Sequence, residues 1–190
     1  MGGGVYRSPK GIQQGIADGY FPLKGRNALR RVSTESLQSL LERMANSELT
    51  PATGVLLIAP PMMDDPNFKR TIILLCEHGA EGSFGLILNR TLSLQLNEVV
   101  DGMTGYTGFL SQGGPVLQNT LHVLHRIGAR VGETREVVSE VYWGGDFDAI
   151  QAILASREAS EDDFRFFLGY AGWSPGQLET EIEQGGWILA

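Results

Sequence analysis

Apolar positions recur along the chain at two different spacings, and the change from one spacing to the other divides the sequence into two parts. The first part follows the i, i+3, i+4, i+7 spacing of a single helix face, at Leu37, Leu40, Leu41 and Met44. This spacing predicts an amphipathic helix near 34–46. Pro51 then breaks any helix, and short apolar runs separated by glycine follow it. We therefore predict an N-terminal arm over residues 1–50 and a compact domain over residues 51–190.

The domain carries the pattern of several strands and few helices. Two apolar runs, 71–76 and 84–88, flank a glycine-containing segment and predict a hairpin with a loop of several residues. A helix over 146–154 would be capped by Asp146. Further strands are predicted at 55–59, 120–125, 137–143 and 163–171. This mixture predicts a single compact α+β domain with a mainly antiparallel or mixed sheet and a few flanking helices.

The segment GYAGWSPGQLETEIEQGGW, residues 169–187, places a tryptophan at each end of a short helix. Its start and stop signals are a capping serine, a proline in the first turn, a glutamine completing a capping box and a terminal glycine, at Ser174, Pro175, Gln177 and Gly185. Leu178 and Ile182 would point toward the core. We expect Trp173 and Trp187 to pack at the two ends, where each indole N–H needs a partner. The alternative is a binding surface of exposed, ligand-stacking tryptophans.

Charge is distributed unevenly over the chain. The formal net charge is −7, but residues 1–50 carry seven Lys and Arg against four Asp and Glu, while residues 51–190 carry eight against eighteen. An acidic body repels phosphate, so we do not expect nucleic acid to bind through it, and direct DNA regulation would depend on the basic arm. No apolar run approaches the roughly 18 residues of a membrane span. A single cysteine and the lack of an export signal predict a cytoplasmic protein.

The CEH tripeptide of the hairpin offers the most reactive chemistry in the domain. In a regular strand Cys76 and His78 share one face, and Glu77 points the other way. An imidazolium beside the thiol would lower the thiol pKa and favour a nucleophilic thiolate. The structural interpretation, which we prefer, is a buried thiol at the strand end and a histidine bonded to the turn.

Metal and phosphate sites are not indicated. His122 and His125 are three apart in a predicted strand and therefore face opposite sides, so at most one could join Cys76 and His78. The glycine pair in GGPV lacks the ending of a phosphate loop, and the pair in WGGD opens a helix whose first turn carries Asp146 and Asp148, which would repel a phosphate. Both pairs are interpreted as turns where backbone segments cross closely. No serine-hydrolase or dinucleotide motif is found, so we expect no cofactor, no metal and no catalytic signature.

Several blocks together resemble one protein family. They are LLIAPPMMDDPNFKRTIILLCEHGAEGSFGLILNR, GGPV, LHVLH, VYWGGD and FFLGYAGWSPGQLETEI with the final GGW, in this order over residues 54–187. They are similar to the successive blocks of the AlgH/YqgE family of bacterial proteins. The resemblance implies a compact α+β fold around a strongly curved, barrel-like sheet in a cytoplasmic bacterial protein. The family is largely of unknown function, and its label "transcriptional regulator" describes a genetic effect on alginate production.

Two departures from the family pattern stand out. Thr91 follows Asn89-Arg90 where the family usually has proline. Family members generally continue for a few dozen residues past the final tryptophan, so a closing strand and helix are expected to be missing after Ala190.

The sequence thus predicts a non-enzymatic regulatory protein that binds a protein or small-molecule partner. The candidate binding residues are Cys76, Glu77, His78 and Asn89 on the hairpin and Trp173, Gln177 and Glu181 at the C-terminal helix. The alternative function is a redox-responsive or nucleophilic thiol protein that uses Cys76 with His78.

Overall fold

The computed structural model describes residues 49–103 and 106–190, and the helix predicted near 34–46 lies outside them. Residues Leu49–Ala190 form one compact unit. Within the described residues the strands are β1 Leu56–Ile58, β2 Ile72–Gly79, β3 Gly82–Ile87, β4 Thr91–Gln95, β5 Phe109–Gln112, β6 Val116–His125, β7 Thr134–Val138, β8 Val141–Gly144, β9 Phe164–Trp173 and β10 Ile188–Leu189. The α-helices of the same part of the chain are α1 Phe147–Ser156 and α2 Gln177–Glu183.

The strands form one mainly antiparallel sheet. Its order is β10-β1-β2-β3-β9-β6-β8-β7, and β5 joins β9 as a parallel neighbour with β4 beside it. The sheet curls into a half-barrel. The predicted α+β class with a strongly curved sheet is therefore confirmed.

The curl brings together strands that are distant in the sheet. Four strands separate β2 from β7, yet Glu77 on β2 forms an ion pair with Arg135 on β7 across the concave side. A Cβ added to Gly54, just before β1, would lie 2.6 Å from the carbonyl oxygen of Val137 on β7. The two ends of the sheet therefore approach each other closely enough to enclose an interior.

Apolar side chains fill both faces of the sheet. On the convex face α1 covers one core and α2 covers another, each built around buried aromatic rings such as Phe166 and Trp173. The concave face carries a third core made of Leu74, Cys76, Leu86, Leu124, Val137 and Phe167. Because β2 has Ile73 and Leu75 on the convex side and Leu74 on the concave side, it is buried on both faces, which explains its nearly uninterrupted apolar sequence.

Two turns differ from the sequence prediction. The β2–β3 connection is only Ala80 and Glu81, tighter than the expected loop of several residues. The run 137–143, predicted as one strand, contains a reversal: Glu140 has a φ of +63°, its amide donates to Glu136 Oε1, and β7 and β8 pair on either side of it. Apolar residues flank this turn on both sides, so the pattern did not reveal it.

The helix ends agree with the sequence except at one position. Asp146 Oδ1 accepts from the amide of Ala149 at 3.0 Å, which confirms the predicted cap of α1. Gly185, with a φ of +74°, follows α2 as predicted. Ser174 is not the N-cap of α2: a glycine at 176 with a φ of +74° precedes the first helical residue, and only one half of the capping box forms, from the Ser174 amide to Gln177 Oε1 at 3.0 Å.

Candidate functional site

Glu181 joins the two C-terminal tryptophans. Its Oε2 accepts the indole N–H of Trp173 at 2.9 Å and that of Trp187 at 2.8 Å, while Oε1 accepts from Gln177 Nε2 at 2.9 Å. Trp173 and Trp187 are 6% and 5% exposed, and the ring of Phe68 packs against both. These contacts confirm that the tryptophans pack, and they occupy the polar atoms that a ligand would need.

His78 connects the hairpin to α2. Its Nδ1 lies 2.8 Å from Ser83 Oγ, and its Nε2 lies 3.6 Å from Glu179 Oε1. The structure thus brings His78 into the neighbourhood of Trp173, because Ser83 pairs with Trp173 in the sheet.

Cys76 does not share a face with His78, so this prediction is wrong. A β-bulge between Leu75 and Glu77 gives β2 one extra residue against β3 and reverses the alternation of the side chains that follow. Cys76 and Glu77 therefore lie on the concave side, while His78 lies on the convex side. The Cys76 side chain is fully buried, and burial raises the pKa of its thiol to about 12. A protonated, enclosed thiol does not act as a nucleophile.

Asn89 has a structural contact at the far end of β3. Its Oδ1 accepts the amide of Ile72 at 3.0 Å, and its Nδ2 donates to the carbonyl of Arg70 at 2.8 Å. The side chain thus holds the start of β2 to the end of β3. Asn89 is therefore separated from both Cys76 and His78, and the seven candidate residues do not form one site.

An aromatic cluster lies at one end of the concave face. Phe84 contacts the rings of His122, Trp143 and Tyr170, with centroids 4.6 to 5.1 Å away. Glu77 pairs with Phe84 in the sheet and borders this cluster. The indole N–H of Trp143 is buried without a hydrogen-bond partner among the described residues, and burial lowers the pKa of His122. The rings of this cluster are half-buried and pack against one another.

A cavity of about 580 Å³ opens at the other end of the concave core. Its volume is within the range of small-molecule sites. The apolar part of its wall comes from β1, β2, β6, β7, β8 and the end of β3, and is made of Leu56, Leu74, Leu88, Leu124, Val138 and Val141. Curling of the sheet assembles this wall from segments more than 80 residues apart in sequence.

Arg165 supplies the partly buried cation of this cavity, whereas Arg126, the second cation of its lining, is exposed. It lies on the concave face of β9, with its guanidinium carbon 5.3 Å from the ring centre of Phe167. Nη2 donates to the carbonyl of Leu88, and Nε and Nη2 donate to Ser111 Oγ at 3.3 and 3.1 Å. Among the described residues no carboxylate lies within ion-pair distance of it. Burial lowers the pKa of Arg165, with an opposing effect from Tyr106.

Tyr106 lies close enough to both this cation and an acidic turn at the cavity edge, Glu161–Asp163, for the pKa of its phenol to respond to them. Burial raises the pKa of its phenol, Glu161 and Asp162 raise it further, and Arg165 lowers it. Glu161 Oε2 accepts the amide and hydroxyl of Thr107, at 2.8 and 3.0 Å. The cavity wall therefore carries the partly buried cation of Arg165 and an acidic turn beside which the exposed Arg126 is held by its backbone amide.

His125 also lines the cavity. Its Nε2 is 3.1 Å from the carbonyl of Gly144, which can only accept, so Nε2 carries the proton. The other nitrogen, Nδ1, is buried without a partner among the described residues, and burial lowers the pKa of the imidazole. The lowered pKa, which the hydrogen bond to Gly144 only partly opposes, disfavours the charged imidazolium at this position.

Sequence reasoning missed the polar residues of this cavity. Arg165 did leave a signal: it is the only charged residue of the apolar strand Phe164–Trp173 and shares the alternation of the buried Phe167. No comparable sequence signal marks His125 or Tyr106, because their neighbours in the chain form no recognisable pattern. Over the described ranges, no three His, Cys, Asp or Glu side chains gather as a metal ion would require.

Comparison with known proteins places the fold in a family. The family model described as AlgH-like matches residues 56–190. This chain belongs to the AlgH-like family. An UPF0301 protein of Chlorobium chlorochromatii is 44% identical over 137 residues, which are 72% of this chain and 73% of the relative. An UPF0301 protein of Cytophaga hutchinsonii is 38% identical over 138 residues, 72% of this chain and 76% of the relative.

Solved structures of the AlgH-like family share this architecture. The solution structure of AlgH from Pseudomonas aeruginosa is 32% identical with a TM-score of 0.60, covering 76% of this chain and 80% of that one. A crystal structure from Corynebacterium diphtheriae is 29% identical with a TM-score of 0.65, covering 77% and 79%. The predicted family is confirmed. In the part of the chain that the structure describes, no helix is long and apolar enough to cross a membrane.

Proposed function

We propose that this AlgH-like protein acts by binding a small, largely apolar molecule in the cavity of its half-barrel, in a regulatory rather than a catalytic role. The observation that carries the proposal is the cavity itself. It has an apolar wall, a volume of about 580 Å³ and a few convergent polar groups, which is the usual composition of a ligand site.

The C-terminal helix is a weaker candidate for the binding site. The carboxylate of Glu181 is already shared by Trp173, Trp187 and Gln177. A ligand at this place would have to break hydrogen bonds that stabilise the fold, whereas a ligand in the cavity would contact the apolar wall without breaking them.

Thiol chemistry is not part of the proposal. Its two components, Cys76 and His78, are on opposite faces of β2, and the thiol is buried. The cytoplasmic location and the role as a transcriptional regulator remain expectations from the resemblance, and any contact of residues 1–50 with DNA remains a prediction of their basic charge.

The test is the binding of Nile red, an uncharged fluorescent dye whose emission rises and shifts to the blue in apolar surroundings. We expect saturable binding to the full chain with one site. Val138 lines the cavity and is 44% exposed, so Val138→Trp should obstruct the cavity without disturbing the core and should weaken binding at least tenfold.

The matched control is Val99→Trp. Val99 is 47% exposed and lies away from the cavity wall, so this variant should bind the dye like the wild type. Absence of saturable dye binding, or an equal loss in both variants, would refute the proposal.

A further inference from the structure

We propose that the ligand of the cavity is a monocarboxylate with an uncharged apolar body, and that Arg165 binds its carboxylate. This inference rests on the proposed function and adds the chemical class of the ligand. It starts from the hydrogen bonds of one guanidinium group and from the distribution of charge around it.

The guanidinium of Arg165 is only partly satisfied by the protein. Nε and Nη2 donate to Ser111 and Leu88, but Nη1 makes no hydrogen bond to the described part of the chain. Nη1 is not among the buried atoms that lack a partner, so it keeps some exposed surface, and Arg165 is a residue of the cavity wall. Two N–H groups of a cation are thus available to an acceptor at the wall of an apolar space.

A partly buried cation without a carboxylate is energetically costly. The carbonyl of Leu88, the hydroxyl of Ser111 and the ring of Phe167 compensate for it in part, but none of them carries a negative charge. An anionic ligand would supply the missing charge and accept from Nη1, as charge-assisted hydrogen bonds are roughly twice as strong as neutral ones.

The acidic turn limits the ligand to one negative charge. Glu161, Asp162 and Asp163 line the cavity near Tyr106, and they outnumber the one exposed cation of the lining, Arg126, so the charge at this edge stays negative. A second carboxylate at the far end of the ligand would meet this negative edge or the apolar wall, and both are unfavourable. A single carboxylate at Arg165 with a tail along the leucines and valines matches both the partly buried cation and the apolar part of the wall.

Three compounds of equal chain length test the inference: octanoate, octanol and octylammonium. Each competes with Nile red for the full chain at pH 7.5. We expect octanoate to bind at least tenfold more tightly than octanol, because a charge-assisted hydrogen bond is roughly twice as strong as a neutral one. Octylammonium should be the weakest of the three.

Arg165→Met tests the assignment to this residue. It keeps an unbranched apolar side chain, so Nile red should still bind, while octanoate and octanol should become equal within about twofold. If Arg165→Met does not fold, Arg165→Lys replaces it: the cation is kept, and the preference for octanoate over octanol should persist in reduced form.

The two proposals fail in different ways. If Nile red binds but octanoate shows no advantage over octanol in the wild type, the carboxylate inference is wrong and the binding function stands. Tighter binding of octylammonium than of octanoate would also overturn the inference, because the acidic turn would then dominate. If neither dye nor competitor binds, the binding function itself is wrong.

Discussion

Trp173 donates its indole N–H to Oε2 of Glu181 across 2.9 Å, and through this contact a strand is fixed to the helix that follows it. The same oxygen accepts from Trp187 at 2.8 Å, so one carboxylate satisfies two buried donors. The segment that suggested a binding surface in the sequence is therefore part of the architecture of the fold.

Truncation of either tryptophan should strongly destabilise the protein. Trp173→Ala and Trp187→Ala each remove a buried ring from the core beneath α2, so we expect a loss of about 3–5 kcal/mol in the free energy of unfolding. Urea unfolding measures it. A change below about 0.5 kcal/mol together with red-shifted, water-exposed emission in the wild type would contradict the packing of these side chains.

Removal of the Glu181 carboxylate, which both indoles share, should also lower the free energy of unfolding. Glu181→Ala leaves two buried indole N–H groups without a partner, which predicts a loss of about 2–4 kcal/mol. Glu183→Ala is the matched control, because Glu183 is exposed on the same helix, and it should change stability by less than about 0.5 kcal/mol. Equal effects of the two substitutions in urea unfolding would argue against the shared hydrogen bonds.

A methyl group at Gly114 should be poorly tolerated. A Cβ there would lie 2.1 Å from the carbonyl carbon of Tyr170, where the chain crosses β9, and a backbone cannot easily move away. Gly114→Ala should therefore cost about 3 kcal/mol or more, at the upper end of overpacking effects. Gly79→Ala has nothing within 4 Å of the added carbon and should leave the unfolding midpoint nearly unchanged, so similar midpoints for both variants would contradict the close crossing.

The thiol of Cys76 should be unreactive in the folded protein. Burial raises its pKa from 9.0 to about 12, which lowers the thiolate fraction at neutral pH on the order of 1000-fold. Labelling with iodoacetamide at pH 7 should therefore be slow in buffer and fast in urea, and His78→Ala should not change either rate. Rapid labelling of the native protein would instead support the alternative hypothesis of a reactive thiol at Cys76.

Acidification should destabilise the protein through the half-buried His122 and the buried His125. Burial lowers the pKa values of His122 and His125 below the ordinary 6.5, so the unfolded chain binds more protons than the folded one as pH falls below 6.5. The contribution of these two histidines to the free energy of unfolding is complete above pH 6.5 and is lost as the pH decreases. His122→Phe, which keeps a ring in the aromatic cluster, should flatten the decline between pH 7 and 5 in urea unfolding. A decline of unchanged slope would exclude His122 as a cause.

Local patterns predicted much of the fold. The β2–β3 hairpin, α1 with its Asp146 cap and the end of α2 at Gly185 each depend on a few neighbouring residues, so the sequence contains their signals. The β-bulge at Cys76 has no such signal, because an apolar run buried on both faces gives no alternation from which an extra residue could be detected. This one residue separates Cys76 from His78 and overturns the predicted pair.

The cavity could not be predicted from the sequence for a different reason. Leu124 and Arg165 pair directly between β6 and β9, but Leu56 on β1 reaches them only through the curl of the sheet, and nothing in the local sequence encodes that curl. Arg165 is recognisable from the sequence as a charge in an apolar strand. Its proposed role in ligand binding, however, depends on the lack of a carboxylate within ion-pair distance among the described residues, which only the folded structure shows.

The most direct test of the central claim is a titration of the ¹⁵N-labelled full chain with octanoate, followed by amide chemical shifts. The account predicts saturable shifts concentrated at the cavity wall, at Leu74, Leu88, Leu124 and Val141, with little change at Trp173 and Glu181. Arg165→Met should weaken the octanoate binding measured from these shifts at least tenfold. Shifts centred on the C-terminal helix, or no saturable shifts at all, would contradict the assignment of this cavity as the binding site.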